Sequence, residues 1–559
     1  MTTYLALDFG TSNCVAGEIS DELKLNLVPL EENKVEMPSA IFLKNKYFIN
    51  RNIDDSLLQR RVDIALKNEL DKEFQNLLFL EKQLNDFYSI KAPRLKIPGE
   101  YYTQKQLKFH RYVEPHEFDV ALKYFKENEY KFEYSRLIST LPKKRSESEI
   151  RHYEKITLFN EMFQSDIELL KEETFFTALM SSDIEILFGS EAIIEYSNNP
   201  MSGFFMNSPK AFLAINLTSQ QIELFTRVVM LFIAHIKYKS ELHFKKKYDG
   251  VVIGRPVNFM GSSFSNGNEQ AVNILRTAAV NCGFNSVRFV YEPLAASLVI
   301  EHQSSTSNLD PLLVVDIGGG TTDVAFIDVS FDRQVNLNVI GVSGERIGGN
   351  DFDQSIALSK FGSLIGRSIT LANSFIVDLL STRDIHCQTR FRLSGNSLFG
   401  LLKSHPDNIE LLRLYQIYRA QLQHKLLLSS EKLKISLSNL DSSSEQILYL
   451  TPDFTISLNK EEVTDICSSH LNSIKSNILS VIPVELRNKP VRVYVTGGMS
   501  SVVSVIKVVK ESVSSNSSIR RLNALHSIVA GLSVIARQLS MSEGAYDELK
   551  MYRGVSIFK

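Results

Sequence analysis

Two short segments, far apart in the chain, carry the residue types best suited to chemistry. Asp8-Phe9-Gly10-Thr11-Ser12-Asn13 follows the apolar run Tyr4-Leu5-Ala6-Leu7 and precedes Cys14-Val15-Ala16-Gly17-Glu18-Ile19. Asp316-Ile317-Gly318-Gly319-Gly320-Thr321-Thr322-Asp323 follows Leu312-Leu313-Val314-Val315 and precedes Val324-Ala325-Phe326-Ile327. Each reads as strand, tight glycine-bearing hairpin, strand. They share one grammar: an apolar strand, Asp, an apolar residue, Gly, a Thr-bearing turn and an exit strand beginning Val-Ala. That grammar predicts an internal duplication, with two related lobes each presenting the same turn. Paired turns of this kind suit a polyphosphate. Glycine admits close backbone approach, successive N–H groups form an anion-binding nest, and Thr or Ser hydroxyls add donors. The carboxylates at the two mouths, Asp8 and Asp316, would repel bare phosphate. They become useful when hydrated Mg²⁺ lies between, because that ion binds few carboxylates and keeps several waters. One Asp-x-Gly-Thr turn alone is ordinarily only a turn; three glycines after a buried strand, beside a matching first hairpin, argue for more.

The surrounding elements read as alternating strands and helices. Asp249 to Pro256 is a buried strand ending in a turn, and Glu269 to Cys282 has apolar residues at helical spacing before Gly283. Val287 to Val290 is a strand ending at Glu292-Pro293. Val491, Val493 and Val495 alternate up to Thr496-Gly497-Gly498, and Ser527 to Leu539 is helical. Gly348-Gly349-Asn350-Asp351 has the composition of a helix start. This pattern predicts α/β layers. Residues 50–185 differ, being rich in Lys, Glu, Phe and Tyr and patterned as amphipathic helix. Ser442 to Ser444 and Ser512 to Ser518 read as surface loops.

Composition sets bounds on function. At 559 residues the chain exceeds one hydrophobic core, and its apolar fraction of 44% and charged fraction of 23% are those of a globular protein. Lys plus Arg (62) nearly balance Asp plus Glu (64), so no global field draws it to nucleic acid or to a membrane surface. The four cysteines (Cys14, Cys282, Cys387, Cys467) are scattered. Cys467 and His470 have the spacing of half a zinc site, with no second pair to complete it. Neither a signal peptide nor a membrane-length apolar run is evident, so a soluble cytoplasmic protein is expected.

Taken together and in this order, the motifs resemble those of the actin-like ATPases, and specifically the nucleotide-binding domain of the seventy-kilodalton heat-shock chaperones (the DnaK-like family). The two hairpins match the family's phosphate loops, and Gly348-Gly349-Asn350-Asp351-Phe352-Asp353 its Gly-Gly-x-Asp-Phe-Asp. Glu292-Pro293-Leu294-Ala295-Ala296 and Met37-Pro38-Ser39 also have counterparts. Ser208 to Leu213 is similar to the segment that carries the catalytic lysine, here Lys210. Glu431-Lys432-Leu433-Lys434 and Gly497-Gly498-Met499 resemble the adenosine-contacting segments. Gly254 to Asn258, with Ser208-Pro209-Lys210, looks most like the short YegD-type members. The resemblance covers residues 1–50 and about 186–540.

It implies a two-lobed α/β fold of duplicated ribonuclease-H-like halves. The first would span residues 1–305, with 50–185 a mainly helical insertion in its upper subdomain. The second would span 306–522, and 523–559 would form a helix returning to the first half plus a tail. It further implies slow hydrolysis of Mg²⁺-ATP to ADP and phosphate, with Asp8 and Asp316 holding the metal through water and Glu292 supporting that shell. Lys210, Thr11 and Thr321 would act on the γ-phosphate and the attacking water. Gly10, Ser12, Asn13, Gly318, Gly319, Gly320, Thr322, Gly348, Gly349 and Asn350 would contact the phosphates. Glu431, Lys434, Ser438, Gly497, Gly498, Met499 and Ser501 would contact the nucleoside. Protein partners are expected on the ATPase surface or on 50–185. Three departures stand out. The insertion is extra, the family's peptide-binding domain is not expected after residue 540, and the two arginines that sandwich adenine fall on Ile435 and Ser501. A filament-forming structural ATPase and a small-molecule kinase are the alternatives on the same fold.

Overall fold

A computed structural model describes residues 2–20, 24–45, 55–88, 147, 150, 151, 154, 158, 184–259, 266–303, 310–332, 334–405, 407–450, 454–522 and 526–541. The chain divides into two compact units, one of residues 1–50, 170–445 and 456–559, the other of residues 51–169 and 446–455.

In the larger unit, two sheets repeat one topology. The first comprises β1 (Tyr4–Phe9), β2 (Asn13–Ile19), β3 (Leu25–Leu27), β8 (Gly250–Arg255) and β9 (Ser286–Tyr291) in the order β3-β2-β1-β8-β9, with the short β4 (Met37–Pro38) beside β2. A smaller sheet is formed by β5 (Ala40–Asn45), β6 (Ile184–Phe188) and β7 (Gly203–Asn207). The second large sheet comprises β10 (Leu312–Ile317), β11 (Thr322–Asp332), β12 (Gln334–Glu345), β13 (Arg492–Thr496) and β14 (Ser518–Arg521) in the order β12-β11-β10-β13-β14. In both, an antiparallel meander is followed by two parallel strands. The duplication expected from the hairpins thus extends over both sheets.

The register corrects one detail of that repeat. Asp8 lies opposite Val15, whereas Asp316 lies opposite Asp323. Asp323, not Val324, is therefore the equivalent of Val15, and the shared Val-Ala is offset by one residue. Because opposed residues in a ladder point to the same face, Asp323 faces the side that Asp316 faces.

Helices fill the space around the sheets: α1 (Gly189–Asn198), α2 (Ser219–Phe244), α3 (Gly267–Asn281), α4 (Glu292–Gln303), α5 (Gly349–Phe361), α6 (Gln423–Ser436) and α7 (Ser527–Met541). A reciprocal Thr218–Gln221 pair caps the start of α2. Between the large sheets, α4 and α7 share one buried cluster with both, including Ala6, Val252, Val314, Ala325, Leu294, Leu298, Val529 and Leu532. Its burial removes apolar surface at roughly 25 cal/mol per Å², and it ties the two large sheets together. The expected loop at Ser442 to Ser444 is instead a strand, Ser442–Gln446, within a two-stranded sheet. Serine has little preference of its own, so pairing decided its state.

In the smaller unit, Asp55–Tyr88 is one helix of 34 residues. Leu58 and Val62 pack with Ile150 and Leu158, and Gln59 donates to Asp63 at 2.8 Å. Most of the expected helical stretch 50–185 lies outside the described residues.

Candidate active site

Strand β1 ends at Asp8-Phe9 and β10 at Asp316-Ile317, so both hairpins sit at the carboxyl edges of their parallel strands, where open α/β sheets bind ligands. The hairpins close with the same bond. Gly10 N–H donates to Asn13 C=O at 3.0 Å, and Gly318 N–H to Thr321 C=O at 2.9 Å. The two turns also meet tip to tip. A Cβ on Gly319 would collide with the Ser12 hydroxyl, and one on Gly320 with the Thr11 side chain. Glycine is needed at these positions for close approach between the halves, in addition to any ligand. Ser39 braces the first turn: its N–H donates to Ser12 C=O at 2.8 Å and its hydroxyl to Gly10 C=O at 2.7 Å. Its carbonyl accepts from Ser208 N–H at 2.8 Å, linking that turn to the lysine segment.

Ser208 takes a left-handed conformation (φ 56°) that turns the chain into the short helical turn Pro209–Phe212. This directs Lys210 inward, where its ammonium lies 2.7 Å from Glu292 Oε1. Burial alone would lower the lysine's pKa, but Glu292 and Asp8 outweigh it and keep the ammonium protonated. Asn350 Nδ2 donates to Ser208 Oγ at 3.1 Å, so the second half touches the lysine segment as well.

The carboxylates around Lys210 are over-supplied. Asp8 is pushed up to about 7 by burial and then by Glu292. Asp323 rises to about 8 for the same two reasons, and Asp316 rises well above its usual range through burial and repulsion from Glu292, Asp323 and Asp8. Asp323 Oδ1 accepts the Val257 N–H at 2.5 Å, while its Oδ2 and the Asp316 Oδ1 are buried with no hydrogen-bond partner among the described residues. Four acids around Lys210 and the nearby Arg255 leave an excess of carboxyl groups and orphaned hard oxygens. Hydrated Mg²⁺ with a polyphosphate fits that donor set. Among the described residues no group of three or more His, Cys, Asp or Glu could hold a metal ion.

These residues line a cleft of about 930 Å³, counted out to open solvent. Its lining includes Asp8, Gly10, Thr11, Ser12, Asn13, Lys210, Glu292, Asp316, Gly318, Gly319 and Thr321. Gly349, Glu431, Lys434, Ser438, Gly497, Gly498, Met499 and Ser501 line it as well. Four expected contacts do not line it. Gly320 and Asn350 face a neighbouring cavity, Gly348 packs on the Gly319 backbone, and Thr322 is buried with its hydroxyl donating to Ile347 C=O at 2.7 Å. Lys434 is partly committed elsewhere, its ammonium bonding Asp353 at 2.8 Å and Gly349 C=O at 3.0 Å. That bond fastens α6 to α5. Ser501 Oγ donates to Gly498 C=O and accepts from Ser438 Oγ, both at 3.1 Å. Ile435 is 58% exposed, and no arginine is among the described residues lining the cleft. Asp323 and Asp353 were not singled out in the sequence. The signal for Asp323 was positional, seven residues beyond Asp316 across a tight hairpin.

The repeated sheets and facing hairpins define an actin-like ATPase fold, and sequence comparison agrees. Residues 206–362 match the family model described as Hsp70 protein. A chaperone protein DnaK from Thermoplasma volcanium is 34% identical over 116 residues, 20% of this chain and 18% of that protein. A cell shape-determining protein MreB from Pasteurella multocida is 35% identical over 95 residues, 16% of this chain and 24% of that protein. A chaperone protein dnaK from Guillardia theta is 25% identical over 279 residues, 47% of this chain and 35% of that protein. The chain thus matches between 18% and 35% of the length of these relatives. Residues 206–362, which contain Lys210 and the second hairpin, are similar to the Hsp70 family. Among the described residues, no helix is long and apolar enough to cross a membrane.

Proposed function

We propose that the chain binds Mg²⁺-ATP in this cleft, hydrolyses it slowly to ADP and phosphate, and works as a conformational switch of chaperone type. The observation that carries this reading is the contact between the two hairpins, Gly319 and Gly320 against Ser12 and Thr11, beside the buried Lys210–Glu292 pair. A γ-phosphate seated there would touch both halves at once, so its loss would change how they close. Lys210 supplies a compact cation beside that phosphate, while Thr11 and Thr321 offer hydroxyls to phosphate and water. Asp8 and Asp316 would hold Mg²⁺ through its waters, with Glu292 behind them, and the ion would neutralise charge on the phosphates. Asp323 accepts from Val257 and from the Thr321 side chain, which makes it a positioning group for the second hairpin. In this reading residues 1–305 and 306–522 are the two halves, and α7 returns to the first.

The test is nucleotide binding by calorimetry with phosphate release followed in parallel, with and without Mg²⁺. Absence of binding and turnover for every nucleoside triphosphate ends the proposal. The likeness to a cell shape-determining protein supports filament formation as a second reading. Light scattering that rises on adding ATP would favour it.

A further inference from the structure

The segment that carries Lys210 is held at its carbonyls by side chains from several elements. Gln270, on the first turn of α3, donates through Nε2 to Leu213 C=O and to Ile215 C=O, both at 2.8 Å. The Arg346 guanidinium donates to Ala211 C=O at 2.8 Å and to Arg383 C=O at 2.6 Å. His386, in the helix Ile385–Leu393, places Nε2 3.0 Å from Asn216 C=O; a carbonyl only accepts, so that nitrogen carries the proton. Ala211 directly follows Lys210, so the arginine acts one residue away from the lysine's own backbone.

Arg346 is itself fixed to the second hairpin. Thr322, the first residue of β11, lies opposite Glu345 at the end of β12, and its hydroxyl donates to Ile347 C=O at 2.7 Å. Residues 345 and 347 are thus both tied to the end of the hairpin, and the side chain between them reaches across to the lysine segment. The guanidinium keeps its charge at neutral pH, although burial and then Arg383 push it down to about 10. Its bonds to the two carbonyls are therefore charge-assisted, roughly twice as strong as neutral ones. Ser39 ties the lysine segment to the first hairpin, and Arg346 is the corresponding tie to the second.

We propose that Arg346 is a positioning residue for Lys210. By holding Ala211 C=O while Gln270 holds Leu213 and Ile215, it fixes the lysine turn relative to the second hairpin, so that the ammonium and the Thr321 hydroxyl stay in register. The consequence for turnover rests on the proposed ATPase activity, but the placement of the ammonium does not.

The test uses the whole chain as wild type, Arg346→Met, Arg346→Lys and Gln270→Glu, with circular dichroism to establish that each is folded. Gln270→Glu keeps the shape of the amide and removes its donors. Placement of Lys210 is read by mass spectrometry of its acetylation with acetic anhydride, in the absence of nucleotide. Lys237, whose ammonium donates to Cys282 C=O at 3.0 Å, is the internal reference. In wild type Lys210 should react slowly, being 5% exposed and paired with Glu292. Arg346→Met and Gln270→Glu should speed its labelling about fivefold or more with Lys237 unchanged, and Arg346→Lys should speed it less. Equal labelling of Lys210 in all four proteins, or faster labelling of both lysines, overturns the positioning role. In turnover assays Arg346→Met should lower kcat about tenfold or more while ADP affinity by calorimetry stays within about threefold, because Arg346 does not line the nucleotide cleft. Loss of ADP affinity equal to the loss of kcat would make Arg346 a structural residue and sink the proposal. Absence of turnover from wild type as well removes the ATPase reading and leaves the labelling to decide the placement.

Discussion

Lys210 and Glu292 are both buried and 2.7 Å apart, so neither can be removed without consequence for the other. Lys210→Ala should abolish turnover and also destabilise the fold by about 3 kcal/mol, because Glu292 is left buried without its cation. Thermal melting of Lys210→Ala against Lys210→Ala/Glu292→Gln checks this. The double variant should recover most of the lost melting temperature and none of the turnover. At the base end, Ser438 and Ser501 bond each other, and no guanidinium is among the described lining residues. A cation over an aromatic ring contributes about 0.5–2 kcal/mol, so adenine should be held loosely and selected weakly over guanine. Ser501→Arg should tighten ATP about fivefold or more, as read by calorimetry of ATP and GTP against both proteins. Strong adenine selectivity in wild type would refute the weak-stack reading.

At the scale of elements, the hairpins depend on one another as much as on a ligand. Gly319→Ala puts a methyl group into the Ser12 hydroxyl and should force the turns apart. Nucleotide affinity should fall more than tenfold, and the apo protein should lose about 1–3 kcal/mol of stability. Gly498→Ala is the contrast, since no atom lies within 4 Å of a Cβ built there, yet the residue lines the cleft. It should leave apo stability within about 0.5 kcal/mol and weaken nucleotide binding only. Chemical denaturation and nucleotide titration of both variants separate the two kinds of glycine. Equal behaviour would mean that the tip-to-tip contact contributes nothing.

At the scale of the whole larger unit, a second contact joins residues from the two halves of the chain. Tyr196 of α1 stacks on Phe205 of β7 at 4.4 Å, and His424 of α6 packs edge-on against both rings. The Tyr196 hydroxyl donates to Gln421 C=O at 2.7 Å and accepts the His424 N–H at 3.1 Å. Burial, then nearby Arg392, lowers His424 to about 4. Its folded value lies below the ordinary histidine value of about 6.5, so the fold favours the neutral ring. The stability this contributes is complete above about pH 6.5 and is lost as pH falls towards 4. The loss should be about 1–2 kcal/mol, reduced because the residue keeps some exposure. Urea denaturation at pH 7.5 and 4.5 measures it, and His424→Phe should flatten the pH dependence over that window. An unchanged slope in that variant would assign the effect to other groups.

Much of the site was legible in the chain because its parts are local. Asp8 with Gly10-Thr11, and Asp316 with Gly318 to Thr321, each need only a strand and a tight turn, and their composition announces both. Helix α3 and its stop at Gly283, and strand β9 with its end before Glu292-Pro293, were likewise set by spacing and by turn residues. What the sequence could not decide were states and contacts that depend on partners distant in the chain. Ser442–Gln446 became a strand only because another strand was there to pair with it. Asp323 became part of the acid cluster through hairpin register, which fixes facing by counting residues across the turn. Lys434 spent its charge on Asp353, and Arg346 was left beside Arg383 with carbonyls for partners. Local sequence determined which turns exist, because turn energetics act over a few residues. Tertiary packing decided which charges meet, because burial in a low-dielectric interior sets which side chains must find a partner.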